Sequence, residues 1–391
     1  MARPDVKIVL GNGRLGRTAA TDDGVAGLIL TGKAVDDKLV LGTHYVLSSP
    51  RDLVTLGITA ENNPLAYKDI TAFYAQAGDG AELHLMVVAE ATTLAQMAAV
   101  DDGSPMRKLL AAAGGRIRLL GLNRLPPAEY SPTVTSGIDQ DAIDALAAAQ
   151  SVAESYTDRI QPVRGLIPAL GYDDTAEELF SPREASYNRF ALVLASDDPT
   201  GKTAAIGRIL GRAAAVEPQI SIARVRDGAI DTAGYMTNGK TVAEMDAKLD
   251  ALHDAGYIIY RTYPTLEGVY LNDDPTAAPL SDDYANLNLG RVVDKAIVTA
   301  YNTYLTEIMD NVVVGASTGK IAAEKAVYYQ SLIERAIAQQ MSDAISGFSA
   351  YVDPDQNVLG TSCLEASLEI VPQGTLRKIV VNISFSNPYN N

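Results

Sequence analysis

Ser196-Asp197-Asp198-Pro199-Thr200-Gly201-Lys202-Thr203 is the stretch of this chain nearest to a phosphate-binding motif. A strand-like run precedes it and a helical pattern follows. A P-loop needs glycine, four residues, then Gly-Lys-Ser/Thr, so that backbone N–H groups cradle phosphate and the lysine reaches it. Ser196 stands where the first glycine belongs. Asp197 and Asp198 would set two carboxylates beside the phosphates, which Coulomb repulsion opposes. The same residues suit a strand-to-helix turn with Asp and Thr as turn and cap residues.

Other chemically suggestive residues fit their motifs no better. Gly11-Asn12-Gly13-Arg14-Leu15-Gly16 matches Gly-x-Gly-x-x-Gly, but only a short apolar run leads in and no clear helix opens after it. A dinucleotide site needs both. The glycines read instead as hinges in an arm. Asp273, Asp274, Asp282 and Asp283 lack the alternate-position ligands and terminal Glu of an EF-hand. They read as a solvated loop that caps the next helix. His44, His84 and His253 are far apart, and none has a second histidine at i+3 or i+4. Cys363, the single cysteine, excludes an intrachain disulfide and a multi-cysteine metal site. It precedes an apolar run and reads as a small buried hydrophobe. No nucleophile elbow or helical His-Glu pair is present. The 48 acidic residues, with no motif to pair them, read as surface charge. No catalytic, cofactor or metal residue is therefore expected, and no enzyme.

The elements around these residues alternate between helix and strand. Strand patterns cover Val25 to Leu30, Glu82 to Val88, Arg116 to Leu122, Val163 to Ala169 and Phe190 to Ala195. Helical patterns cover Leu65 to Ala77, Met106 to Ala113, Asp139 to Tyr156 and Thr203 to Ala215. This alternation predicts an α/β (α+β) fold, mixed sheets flanked by helices. The pattern changes after about residue 238. A helix is expected over Val242 to Ala255, and a strand pair over Tyr257–Tyr263 and Gly268–Leu271. Two long helices, Tyr284–Val312 and Gly319–Ser346, follow. Strands near Ser349–Val352, Leu364–Val371 and Leu376–Phe385 finish the chain. The expected organisation is an N-terminal arm, 1–22; an α/β domain, 23–238; a second α/β domain with the two long helices, 239–375; and a C-terminal strand arm, 376–391.

Composition narrows the function. The 391 residues, 47% hydrophobic, are enough for two domains with sizeable cores. No apolar run approaches the ~20 residues that span a bilayer. The start, Met1 to Val6, has no apolar signal core, so nothing marks the chain for export. A net charge of −16 argues against broad nucleic-acid binding. Tyrosine occurs nineteen times and tryptophan not at all, which is compatible with half-wet contact surfaces.

Both ends are strand-like. Near the N-terminus Val6, Ile8 and Leu10 alternate with Lys7 and Val9. Near the C-terminus Ile379, Val381, Ile383 and Phe385 fall on one side of a strand, with Asn382, Ser384 and Ser386 on the other. Pro388 closes the run. An unpaired strand edge recruits another chain. This strand is thus either tucked into its own sheet or paired with a neighbouring copy.

Several stretches taken in order resemble the contractile tail sheath proteins of bacteriophages and of phage-derived contractile injection systems. They are Arg3 to Ile8; Ala204 to Ala214, leading into Gln219 to Gly228; Gly256 to Tyr263, then Tyr270 to Asp274, then Leu289 to Ala296; and the terminal strand. The resemblance runs loosely over the whole chain and is closest in its second half. It implies a virion or injection-particle structural subunit, assembled in the bacterial cytoplasm as stacked hexameric rings around an inner tail tube protein. Baseplate and tail terminator proteins would be further partners, without nucleic acid or membrane insertion. It also implies that both arms add strands to the sheets of neighbouring subunits. Contraction by subunit rotation would then drive the tube through a target membrane, with the C-terminal half inside and the other domain outward. Energy would be stored in a metastable packing, so no cofactor is needed.

A sheath must also release its tube, and charged contacts separate more readily than a dry apolar seam. Arg291 and Lys295 on the first long helix, with Lys320 and Lys325 near the second, are the expected tube-facing residues. Two alternatives stand beside this reading. One is another self-assembling phage tail or baseplate protein. The other is a P-loop-like nucleotide-binding enzyme using Lys202 and Thr203.

Overall fold

The computed structural model describes residues 22–385. The chain divides into two compact units, Met1–Asp294 and Lys295–Asn391. The expected division at 238/239 differs from this. Residues 239–294 join the first unit, because Tyr257, Ile258, Tyr260 and Leu271 are buried in its core.

The first unit is built on a six-stranded sheet. Its strands are β1 (Ala26–Gly32), β2 (His44–Leu47), β3 (Leu83–Ala89), β4 (Leu119–Asn123), β5 (Arg164–Pro168) and β6 (Phe190–Val193). Their spatial order is β2-β3-β1-β4-β5-β6. All neighbours run parallel except β2, which pairs antiparallel with β3 through Val46↔His84 and His44↔Met86. The sequence dictates this: β1 and β4 are buried at every position, so they read as unbroken apolar runs, as strands covered on both faces must. β2 escaped the sequence reading because four residues hold too little alternation to register.

Helices cover the faces: α1 (Pro64–Ala77), α2 (Pro105–Ala112), α3 (Gln140–Thr157) and α4 (Ile206–Ala215). The Ser104 hydroxyl caps α2 and the Asp139 carboxylate caps α3. α3 buries Ala142, Ala145, Leu146, Ala149 and Ala153 at helical spacing. α1 and α4 touch backbone to backbone. A Cβ on Gly207 would collide with the Asp69 carbonyl, and one on Gly211 with the Phe73 carbonyl. A short antiparallel pair, Tyr260–Arg261 with Tyr270–Leu271, follows helix α5 (Asp246–Ala255).

The first long helix, α6 (Leu287–Tyr304), runs from the first unit into the second. It stops before the expected Val312: a 3-10 turn takes over at Leu305–Glu307, and Met309 sits at a positive φ of 67°. The second, α7 (Ala323–Met341), is also shorter than expected, and β7 (Ile345–Val352) begins soon after it. Ala326, Tyr329, Ile333, Ile337 and Met341 form its buried face. β7 pairs antiparallel with β8 (Ala366–Pro372), and the two form a sheet by themselves. A small core of Ile321, Ala326, Tyr329 and Val352 holds the unit together.

Candidate assembly surface

Two places in the molecule are candidates: the carboxyl end of the large sheet, where folds of this class hold ligands, and the open sheet of the second unit. The parallel strands reverse direction of progress at β1 and β4, and doubly wound sheets bind ligands in the crevice at that point. Here the chain fills it. Asn63 accepts from the Lys33 N–H at 2.7 Å and donates to the Lys33 carbonyl at 3.1 Å. Thr31 Oγ1 accepts from the Leu125 N–H. Buried Arg124 pairs with Asp141 at 2.7 Å and stacks on Tyr130. The pocket left between Thr31, Asn63 and Leu125 is water-sized.

Beside this crevice lies a buried ionic network. Lys68 Nζ meets Asp197 Oδ1 at 2.8 Å and Thr203 Oγ1 at 2.7 Å. Arg208 joins Asp197 to Asp231. Asn123 Nδ2 donates to Asp69 Oδ2 at 2.7 Å, while Asp69 Oδ1 is buried without a hydrogen-bond partner. Burial, only partly offset by Lys68, lifts the Asp69 carboxyl to about 6.

The P-loop-like stretch closes on itself. Asp198 Oδ1 accepts from the Thr200 N–H and hydroxyl at 2.8 and 2.7 Å, and Oδ2 from the Lys202 N–H at 3.3 Å. Ser196 Oγ donates to the Thr203 carbonyl. The loop's N–H groups thus serve its own carboxylate, as a turn reading requires. The motif at Gly11–Gly16 lies outside the described residues. Among the described residues no three His, Cys, Asp or Glu side chains are placed to hold a metal ion. No helix among them is long and apolar enough to cross a membrane.

Several expectations are corrected here. Asp273 and Asp274 are buried, and Asp274 accepts from Asn286 Nδ2 and the Asn288 N–H at the start of α6. Asp274 caps that helix as expected, but neither residue is solvated. Asp69, Asp139 and Asp294 are also buried, so the carboxylates are not all surface charge. Cys363 is exposed. Sequence distance concealed the pairing of His44 with His84, which β2 and β3 bring together. The rings stack at 4° and Nε2 lies 2.8 Å from Nδ1. Glu82 meets the far nitrogen of His84 and Arg116 at 2.8 and 2.6 Å.

Arg291 is not on a solvated helix face. It is buried, donating to the carbonyls of Val216 and Asp23 at 3.0 and 3.4 Å, and burial lowers its pKa to about 10. Its neighbour four residues on, Lys295, is half-buried. Lys320 is paired with Asp355 at 2.8 Å, and Lys325 Nζ lies over the Tyr328 ring. Helical spacing alone cannot tell a buried arginine that reaches backbone carbonyls from a solvated one.

The open surface is in the second unit. Among the described residues β7 and β8 pair only with each other, which leaves both long edges of their sheet without a strand partner. Beyond Pro372 the chain runs without secondary structure through Phe385. Ile379, Val381, Ile383 and Phe385 are each at least 72% exposed. The expected terminal strand is therefore not tucked into a sheet of its own subunit. The N-terminal strand residues Val6, Ile8 and Leu10 lie outside the described residues.

Comparison with known proteins agrees with the fold. No curated protein matches the chain in sequence. Among solved structures it is similar to a chain of the anti-feeding prophage baseplate, at 13% identity and TM-score 0.63, over 99% of this chain and 100% of that one. It is similar to the contracted helical sheath of the same prophage, at 14% identity and TM-score 0.59, over 99% and 100%. The contracted PVC sheath complex of an extracellular contractile injection system gives 10% identity and TM-score 0.58, over 100% and 99%. The resemblance to contractile sheath proteins read from the residues thus extends to the fold of the whole chain. In sequence, the DUF2586 N-terminal domain matches residues 3–275 and the DUF2586 C-terminal domain matches residues 283–390. With both domains matched in order along nearly its whole length, the chain belongs to the DUF2586 family.

Proposed function

We propose that this chain is a structural subunit of a contractile sheath, which polymerises as stacked hexameric rings around an inner tube and contracts to drive that tube through a membrane. One observation carries the reading beyond the fold: among the described residues, a sheet with two open edges stands beside an extended, apolar tail that joins no sheet. Each supplies what the other lacks. Backbone hydrogen bonds between the tail of one copy and the sheet of another join the chains, and side-chain alternation fixes the register. The N-terminal arm, with Val6, Ile8 and Leu10, takes the same role at a second edge. The second unit lies inward, and Lys295, Lys320 and Lys325 meet the tube. Baseplate and terminator proteins close the two ends of the stack.

A baseplate component is the second reading, favoured by the similarity to a chain of the anti-feeding prophage baseplate. Electron microscopy of the purified protein separates the two. Hollow striated cylinders of six-fold symmetry are expected for a sheath. Discrete rings that never stack favour the baseplate reading, and particles of neither kind overturn both.

A further inference from the structure

The two ends of this chain differ in charge from everything between them. Residues 373–391 carry Arg377 and Lys378 and no acid. Residues 1–21 carry Arg3, Lys7, Arg14 and Arg17 against Asp5 alone. The chain's net charge of −16 is thus borne by the body. The two open edges of the small sheet differ as well. β7, Ile-Ser-Gly-Phe-Ser-Ala-Tyr-Val, has no acidic or basic residue within it, whereas β8 carries Glu369; each strand is flanked by an acid, Asp353 after β7 and Glu365 before β8.

We propose that the open edge of β8 receives the C-terminal strand of a second copy, in a register set by Lys378 facing Glu369. This rests on the reading of the chain as a self-assembling subunit. Charge selects the edge, since β8 carries a carboxylate within the strand, Glu369, and β7 carries none. Alternation selects the lysine. In β8, Leu368 and Ile370 are half-buried on one side, and Ser367, Glu369 and Val371 are exposed on the other. In the tail, Ile379, Val381, Ile383 and Phe385 share one side; Lys378, Asn382 and Ser384 share the other. When the apolar side of the tail continues the side of Leu368 and Ile370, Lys378 emerges beside Glu369. A slip of one residue would turn the apolar set outward and bring Arg377 to the glutamate side instead. Glu369 accepts only a long 3.4 Å hydrogen bond from Ser349 Oγ, so its carboxylate remains available to a cation. Backbone bonds hold the strand, a slip of two residues forfeits the pair of Lys378 with Glu369, and a slip of one is opposed by the exposure of the apolar set.

The test is a charge swap between chains. Lys378→Glu alone and Glu369→Lys alone each set like charges across the seam. Each should raise the protein concentration needed for particle formation about fivefold at low salt, and less at high salt. Mixing the two variants should restore assembly, since the tail of one then meets the strand of the other with opposite charge. If neither substitution shifts the threshold, the proposal falls. If only the double variant recovers and the mixture does not, the tail pairs with its own strand and the proposal also falls. Deleting residues 376–391 is the separate control: particles formed without the tail overturn the assembly reading itself, not merely its register.

Discussion

The guanidinium of Arg164 lies across Gly290 so closely that even a methyl group there has no room. From that position Nε donates to Asp294 Oδ2 at 2.7 Å and Nη1 to the Asn188 carbonyl at 2.7 Å, while Arg189 reaches Asp294 Oδ1 at 2.8 Å. A mid-helix glycine normally costs about 1 kcal/mol relative to alanine. Gly290 is therefore explained by space for the arginine, not by helix preference.

Gly290→Ala should accordingly destabilise the subunit although it improves helix propensity. Asp294→Ala should cost about 3–5 kcal/mol, because it leaves buried Arg164 without its counter-ion. Denaturant midpoints at constant m-value measure both. An unchanged midpoint for either variant contradicts the role given to this contact.

Asp69 gives a pH dependence of definite sign. Its carboxyl titrates near 6 in the fold against an ordinary value of 3.8, so the folded state holds the proton more tightly than the unfolded chain. Its contribution is fully present below about 3.8 and is lost as pH rises through about 6. Asp69→Asn removes that slope. Unfolding free energies at pH 5 and pH 7.5 should show the parent losing stability relative to the variant at the higher pH. Parallel profiles would refute this.

The histidine pair works in the opposite direction. Glu82 takes the N–H of His84 Nε2, so His84 Nδ1 is left to accept from His44 Nε2. Burial, and then the proximity of His84, lower the His44 pKa below 6.5. A depressed histidine supports the fold above its unfolded value and withdraws that support as pH falls through the folded one. Amide exchange in β2, corrected for its intrinsic rate, should therefore quicken relative to β4 below pH 6.5, and His44→Gln should abolish the difference. Equal protection of the two strands at all pH values counts against the pair.

Removing the arms tests assembly directly. Deletion of residues 1–18, or of 376–391, should leave folded, soluble subunits that form no long cylinders. The tail makes no sheet pairing within its own subunit, so truncation there should leave the melting temperature within about 1 °C of the parent, a shift equivalent to a few tenths of a kcal/mol or less. Normal cylinders from both truncated chains would eliminate strand exchange as the joint.

The parallel core was legible because burial on both faces writes itself as unbroken apolar runs. Val25–Leu30 and Arg116–Leu122 fall on β1 and β4 for that reason. The resemblance gave the fold of the whole chain. What could not be read depended on the third dimension. Arg291 has the spacing of a surface residue and the environment of a core one, since its partners, Val216 and Asp23, are remote in sequence. The Asp69 network assembles from four distant segments, and the local pattern at Ser196–Thr203 gives no sign that Asp197 and Thr203 meet Lys68. The terminal strand was legible as a strand, yet it has no ladder in the subunit, because strand propensity names a tendency and not a partner.

A lone pair of strands is only marginally stable in water, and three or more are needed for independent persistence. The sheet of β7 and β8 is such a pair, supported on α7 through Val352, Ala326 and Tyr329 in its small core with Ile321. If a second copy completes it as proposed, the first encounter between copies is the hard step and each later addition easier, since a docked neighbour presents a stiffened template. Growth of this protein should accordingly show a lag that preformed seeds abolish, which confines polymerisation to wherever a starting platform is already in place.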